Sequence, residues 1–194
     1  MGIFNFFKAK NITKDWERDK NLTLNFDFTL NSLNNIKIGN NFQLLSNLGP
    51  CDNKKKLKVN DFLYLSLGLL VGTDNNQKID TFILYWNDIF EKEFTAYAGK
   101  CFFQDKQILL SEKTTKEEFI KIFGEPYWQD IDFTGDTLYD EIILFYEFSN
   151  LEWQVEFLRD ETLKLIIITN KPIMDDKECR NAYGVTKDWP PKFY

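Results

Sequence analysis

The stretch Thr114–Asp130, "TTKEEFIKIFGEPYWQD", decides how much of this chain is scaffold and how much is chemistry. Carboxylates, a glycine, a proline and two aromatics crowd together in it. Thr115 and Glu118 stand at capping-box spacing: the hydroxyl accepts from an early helix N–H, and the carboxylate reaches back to the N–H of the cap. Phe119, Ile122 and Phe123 then form an apolar stripe at helical spacing, which Ile120 widens. Gly124 falls where a helix ends, since a left-handed residue there satisfies the last carbonyls without a Cβ clash. Pro126 cannot continue the helix. Every residue of "TTKEEFIKIFGEP" thus has a structural role, and Glu117 and Glu118 need no catalytic one. The overhang from Tyr127 to Asp130 is left as a candidate contact.

The pattern has an echo 75 residues earlier, in "NNFQLLSNLGP" (Asn40–Pro50). Leu44 aligns with Phe119, Leu45 with Ile120, Leu48 with Phe123 and Gly49 with Gly124. Each predicted helix follows a strand-like stretch, "LTLNFDFTLN" (Leu22–Asn31) or "FTAYAGKCFF" (Phe94–Phe103). Each also precedes strands. After Pro50 come "FLYLSLGLLVGT" (Phe62–Thr73) and "KIDTFILYW" (Lys78–Trp86). After Pro126 come "EIILFYEF" (Glu141–Phe148), "LEWQVEFL" (Leu151–Leu158) and "LKLIIIT" (Leu163–Thr169). Leu151, Trp153, Val155 and Phe157 alternate with polar neighbours, as in a half-buried strand. Hairpin-length turns such as "SN" call for antiparallel pairing, because parallel neighbours need long crossovers.

The expected fold class is therefore α+β, with two tandem repeats of a short helix packed on an antiparallel β-sheet. An N-terminal arm (1–21) precedes the first repeat (22–90) and the second (91–170). A tail (171–194) packs on the body through Trp189 and Tyr194, and Phe6 and Phe7 are expected to pack the arm. A short helix ending in Gly-x-Pro, followed by a sheet whose central strands read "LEWQVEFLRDETLKLIII", resembles the β-lactamase-inhibitor-protein-like fold. That group includes small outer-membrane lipoproteins of the SmpA/OmlA type. The tandem arrangement, over roughly residues 22 to 170, is most similar to the inhibitor proteins, which join two such units. The resemblance implies a fold and a habit of binding proteins through the sheet face and loops. It does not imply a β-lactamase target. Secreted inhibitors of this kind carry a disulfide in each unit, and Cys51, Cys101 and Cys179 offer no such pairing. The lipoproteins carry a signal peptide with a lipidated cysteine, which is not found here.

Composition narrows the function classes. The 194 residues contain no histidine, which removes the commonest general base, the usual activator of Ser or Cys, and the commonest metal ligand. The cysteines show no CxxC spacing, and no cofactor motif occurs, neither a P-loop nor a G-x-G-x-x-G. A carboxylate enzyme built on Glu152 and Glu156 fits poorly. Four residues apart on a strand, their Cα atoms lie ~13 Å from one another, beyond the separations of about 5–9.5 Å that glycosidases use. The net charge of −6 disfavours nucleic acid as a partner. No apolar run is long enough to span a membrane. The opening "MGIFNFFKAK" is too short and interrupted for a secretory segment, although it could give a weak foothold at a membrane surface.

These readings converge on a non-enzymatic protein-binding module. The expectation is a cytoplasmic bacterial inhibitor or immunity protein, with no cofactor, acting on a basic toxin or enzyme through complementary charge. An envelope-associated structural module is the alternative, ahead of a carboxylate enzyme. The candidate contact residues are Tyr127, Trp128, Asp130 and Asp132, extended by Glu152, Gln154 and Glu156 on the strand face opposite Trp153. Lys54, Lys55, Lys56 and Lys58 follow the first Gly-Pro stop, and Asp130, Asp132, Asp136, Asp140 and Glu141 follow the second. These oppositely charged loops either pair with each other or face a partner.

Overall fold

The structure, a computed structural model, describes residues 12–53, 60–87, 94–132 and 141–191. In chain order the strands of the N-terminal half are β1 (Asn25–Asp27), β2 (Ser32–Leu33), β3 (Ile36–Lys37), β4 (Asp61–Tyr64), β5 (Leu69–Thr73) and β6 (Ile79–Tyr85). The C-terminal half has β7 (Lys100–Phe103), β8 (Lys106–Ile108), helix α1 (Lys116–Phe123), β9 (Trp128–Asp132), β10 (Glu141–Phe148), β11 (Leu151–Leu158), β12 (Leu163–Thr169) and helix α2 (Lys177–Ala182). Three short 3-10 segments, at Phe42–Leu48, Leu65–Leu67 and Ile173–Asp175, complete the described elements. The chain is α+β, mostly sheet with few helices.

Two sheets form. The larger has seven strands in the order β4-β5-β6-β12-β11-β10-β9, all antiparallel. Its middle is the β6–β12 pair, where Leu165 to Thr169 run against Tyr85 to Thr81. The smaller sheet has the order β3-β2-β1-β7-β8. Its β1–β7 pairing is parallel, Asn25 beside Lys100, contrary to the all-antiparallel expectation. The intervening chain supplies the long crossover that a parallel pair requires.

The core lies between the sheets. Phe26 of β1 meets Phe82 of β6 edge-on at 5.6 Å between ring centroids, and Phe28 meets Trp153 of β11 at 5.4 Å. From the large sheet, Phe62, Val71, Leu84, Ile166, Val155 and Leu144 all point into this layer and are buried. Alternation along the strands places every second side chain there, which is the period-two pattern of the sequence. Helix α1 closes one end of the layer, with Phe119 fully buried against Phe157 at 5.8 Å.

Helix α1 begins and ends as the sequence predicts. Glu118 N–H donates to the Thr115 hydroxyl, and Thr115 N–H donates to the Glu118 carboxylate at 2.9 Å. Gly124 has φ +87° and its N–H closes on the Ile120 carbonyl. The earlier counterpart differs: Phe42–Leu48 is a 3-10 segment kinked at Leu45, capped by Asn41 and ended by Gly49 at φ +80°. Ser46 and Asn47 are weak helix formers, and a seven-residue segment has few bonds with which to override them. Phe62–Thr73 is likewise no single strand. It breaks at Leu65–Gly68 into a hairpin, because Gly68 takes a left-handed φ of +61°. The strand-like stretches Leu22–Asn31 and Phe94–Phe103 pair only over Asn25–Asp27 and Lys100–Phe103. The chain after Pro126, expected to be loop, forms the edge strand β9 against β10.

Candidate functional site

The two-residue turn at Ser149-Asn150 sets the geometry of the site. It pairs Phe148 with Leu151, Glu147 with Glu152 and Tyr146 with Trp153. Since successive side chains take opposite faces, Tyr146, Phe148 and Trp153 lie toward the core layer and Glu147 and Glu152 lie on the other face.

On the first face an aromatic cluster runs to the surface. Phe103 packs on Phe123 at 4.8 Å, Phe123 on Trp153 at 5.5 Å, and Phe148 on Trp153 at 4.7 Å. Trp153 Nε1–H donates to the Asn31 side chain at 2.7 Å, and the Tyr146 hydroxyl donates to the Gly124 carbonyl at 2.8 Å. Those bonds fix the two polar tips, and both residues, though buried, border an open cleft of about 710 Å³. Its far wall is made by Tyr127, Lys187, Asp188 and Pro191. Phe148 stays 38% exposed at the rim.

On the second face the tail lies across the sheet through Met174 and Tyr183. Met174 is fully buried, and its N–H donates to the Glu152 carboxylate at 3.0 Å. Tyr183 stands edge-on to Phe145, and its carbonyl accepts from Trp128 Nε1–H at 3.1 Å. The Tyr127 hydroxyl donates to the Lys187 and Asp188 carbonyls, and Trp189 packs on the Tyr127 ring at 5.7 Å.

Glu147 lies on this second face at the hairpin end. It lines both the aromatic cleft and a second cleft of about 560 Å³ beyond the hairpin end, and it is 8% exposed. Neither of its carboxyl oxygens meets a hydrogen-bond donor. Burial, with Glu152 alongside and Asp175 nearby, pushes its pKa up to about 9. At neutral pH Glu147 therefore carries a proton and can donate it to Glu152, a like pair sharing one proton. Further along the same face, the buried Lys164 bonds to Glu156 at 2.8 Å and also to Glu141. Burial drives the Glu156 carboxyl upward, and Lys164 opposes that shift.

The predicted contact residues divide accordingly. Tyr127 lines the cleft. Trp128 is tied down beneath the tail. Asp130 sits half-buried in β9 opposite Ile143, and Asp132 ends that strand opposite Glu141. Glu152, Gln154 and Glu156 do face away from Trp153 but extend no open surface: Glu152 is fully buried, and the other two are largely covered. Their face is apolar enough at Phe145 to require a cover, and the tail supplies it. Phe6, Phe7, Lys54, Lys55, Lys56, Lys58, Asp136, Asp140 and Tyr194 lie outside the described residues.

Sequence reasoning missed Glu147 and the aromatic wall. The signal was the turn itself, since a two-residue connection after Phe148 fixes Glu147 opposite Glu152. Cys101 and Cys179 are free thiols, and burial pushes the Cys101 thiol up to about 12, a state ill suited to nucleophilic attack. Among the described residues no cluster of three or more Cys, Asp or Glu is placed to hold a metal ion, and no helix is long and apolar enough to cross a membrane.

No family model and no curated protein matches the chain. Among solved structures, a DUF4309 family protein, YjgB, from Bacillus subtilis is similar over 71% of this chain and 83% of that one, with a TM-score of 0.45 and 11% identity.

Proposed function

We propose that this protein is a non-enzymatic protein-binding module, a cytoplasmic inhibitor or immunity protein of bacterial type, which grips its partner at the cleft beside the β10–β11 turn. The observation that carries this reading is the cleft itself. Phe148 and Tyr127 form an accessible aromatic rim around an already shaped cavity of about 710 Å³. Aromatic anchors of this kind concentrate binding energy at interfaces. The carboxyls of Glu125 and Asp188 and the net charge of −6 suit a basic partner by steering it inward. The lack of histidine and the protonated thiol of Cys101 speak for binding over catalysis.

The finer fold reading belongs to the same proposal: two tandem units of the β-lactamase-inhibitor type, joined through one sheet. Its support is the arrangement about the β6–β12 pair. The Phe42–Leu48 segment precedes β4-β5-β6, and α1 precedes β9 to β12. Both helical segments end in a glycine near φ +80° to +87°.

The test is to mix the protein with the product of the gene next to its own. Co-elution in size-exclusion chromatography and relief of that product's toxicity are expected. Separate elution with undiminished toxicity would count against the reading.

A further inference from the structure

We propose that the C-terminal segment from Pro172 to Tyr183 is a strap that lifts from the large sheet as one piece, latched by the buried Glu147–Glu152 carboxyl pair. The device does not depend on the protein-binding reading.

The segment is braced internally. Its backbone bonds close on itself: Asp175 N–H donates to the Pro172 carbonyl, Arg180 N–H to that of Asp176 and Val185 N–H to that of Arg180. The Asp176 carboxylate caps α2, and the Arg180 guanidinium reaches back to the Met174 and Asp175 carbonyls. Its ties to the sheet run through side chains. Met174 N–H donates to the Glu152 carboxylate, Trp128 Nε1–H donates to the Tyr183 carbonyl, and Tyr183 packs on Phe145. The sheet beneath is held far more firmly, since β10 and β11 each have a hydrogen-bonded strand on both sides. When the contact between them is strained, the strap is the part that yields.

The strain comes from the carboxyl pair. Glu147 and Glu152 stand directly opposite each other, 8% and 0% exposed, where two like charges repel. Glu152 accepts from Met174 N–H and from the Gln154 amide, whereas neither Glu147 oxygen meets a donor. The other groups that face Glu147 are Asp175 of the strap, Glu125 and Tyr127 ahead of β9, and Lys187 and Asp188 farther along the tail. The cations of the tail are engaged elsewhere. Lys171 pairs with Asp80, Arg180 holds the strap's own carbonyls, and Lys187 lies over the Tyr127 ring. A protonated Glu147 donates to Glu152 and leaves the strap seated. An ionised one puts two carboxylates in a dry contact beside Asp175, and lifting the strap relieves it by admitting water to both.

Opening is thereby coupled to one proton. With the strap seated Glu147 titrates about 9, and once it is opened to water the ordinary 4.5 returns. Below 4.5 both states hold the proton and pH has no effect. Between the two values opening releases it, so the open fraction grows by up to about tenfold per pH unit, and above about 9 it levels off. The open state bares Phe145 and Trp128 and leaves the layer between the two sheets intact.

The experiment is hydrogen exchange on the full chain at several pH values from about 5 to about 8, inside that window, with each rate divided by the intrinsic rate at the same pH. The strap is read at the Met174 amide and the Trp128 indole N–H, and the core at the Ile166 amide and the Trp153 indole N–H, which donates to Asn31. The strap probes should be at least about tenfold less protected than the core probes, and should lose protection by up to about tenfold per pH unit. Glu147→Gln keeps a donor toward Glu152 without a titrating proton and should flatten that loss. Equal protection of strap and core at every pH would overturn the inference, because the segment would then open only with the whole molecule. Strap protection that ignores pH would overturn it too, as would an unchanged slope in Glu147→Gln. The wild-type comparison decides even where the variant does not fold.

Discussion

Glu147 shows how a single residue couples folding to pH. Its carboxyl titrates about 9 in the folded chain against an ordinary 4.5, because burial and the adjacent Glu152 disfavour its charge. Between those values the folded state holds a proton that the unfolded state has released. The stabilisation is therefore complete below pH 4.5, falls as pH rises, and is lost above about 9. The slope is at most about 1.4 kcal/mol per pH unit, and solvent screening reduces it. Glu147→Gln keeps a donor for Glu152 without needing the proton. It should raise stability at pH 8 by about 1 kcal/mol and flatten the profile between pH 6 and 9, as read by urea denaturation. An unchanged slope would show that the carboxyl pair does not share a proton. Single residues of this kind are poorly legible in sequence. The acidic side chains of β11 stood out by alternation, but their burial depended on a tail whose path no local pattern records.

At the scale of elements the sequence is informative where local rules agree. The three strands from Glu141 to Thr169 fall on their predicted boundaries, since alternation, tight turns and β-branched residues all point the same way there. Helix α1 is legible for the same reason, because its cap, stripe and stop agree. Thr115→Ala removes one half of the capping box and should cost about 1 kcal/mol in chemical denaturation. The break in Phe62–Thr73 was hidden in an apolar run, where nothing local separates a strand from a turn. What imposes it is tertiary contact. A Cβ at Gly68 would sit 2.5 Å from both the Thr95 carbonyl oxygen and the Tyr97 nitrogen. Gly68→Ala meets backbone on both sides at a left-handed φ and should lower stability by about 2–4 kcal/mol, measured by thermal and urea unfolding. A loss under 0.5 kcal/mol, as an estimate for a neutral surface change, would mean that the backbone yields there.

For the whole molecule, the two sheets make a closed core, and the C-terminal segment packs on the other face of the large sheet at Glu152, Phe145 and Trp128. What stays open there is the cleft at the end of the β10–β11 hairpin, where the aromatic cluster reaches the surface at Phe148. Only Tyr127 of the predicted contacts lines it. Glu152, Gln154 and Glu156 were placed on the strand they occupy, but the tail has claimed their face, and Trp128, Asp130 and Asp132, expected in a loop, belong to the edge strand β9. The binding account is tested most directly by calorimetric titration of the protein against the product of its neighbouring gene, with Phe148→Asp alongside. The account predicts a saturable complex that the substitution weakens about a hundredfold, the loss of one aromatic anchor of roughly 2–3 kcal/mol. A complex of undiminished affinity with Phe148→Asp, or no heat of binding from either protein, would contradict it.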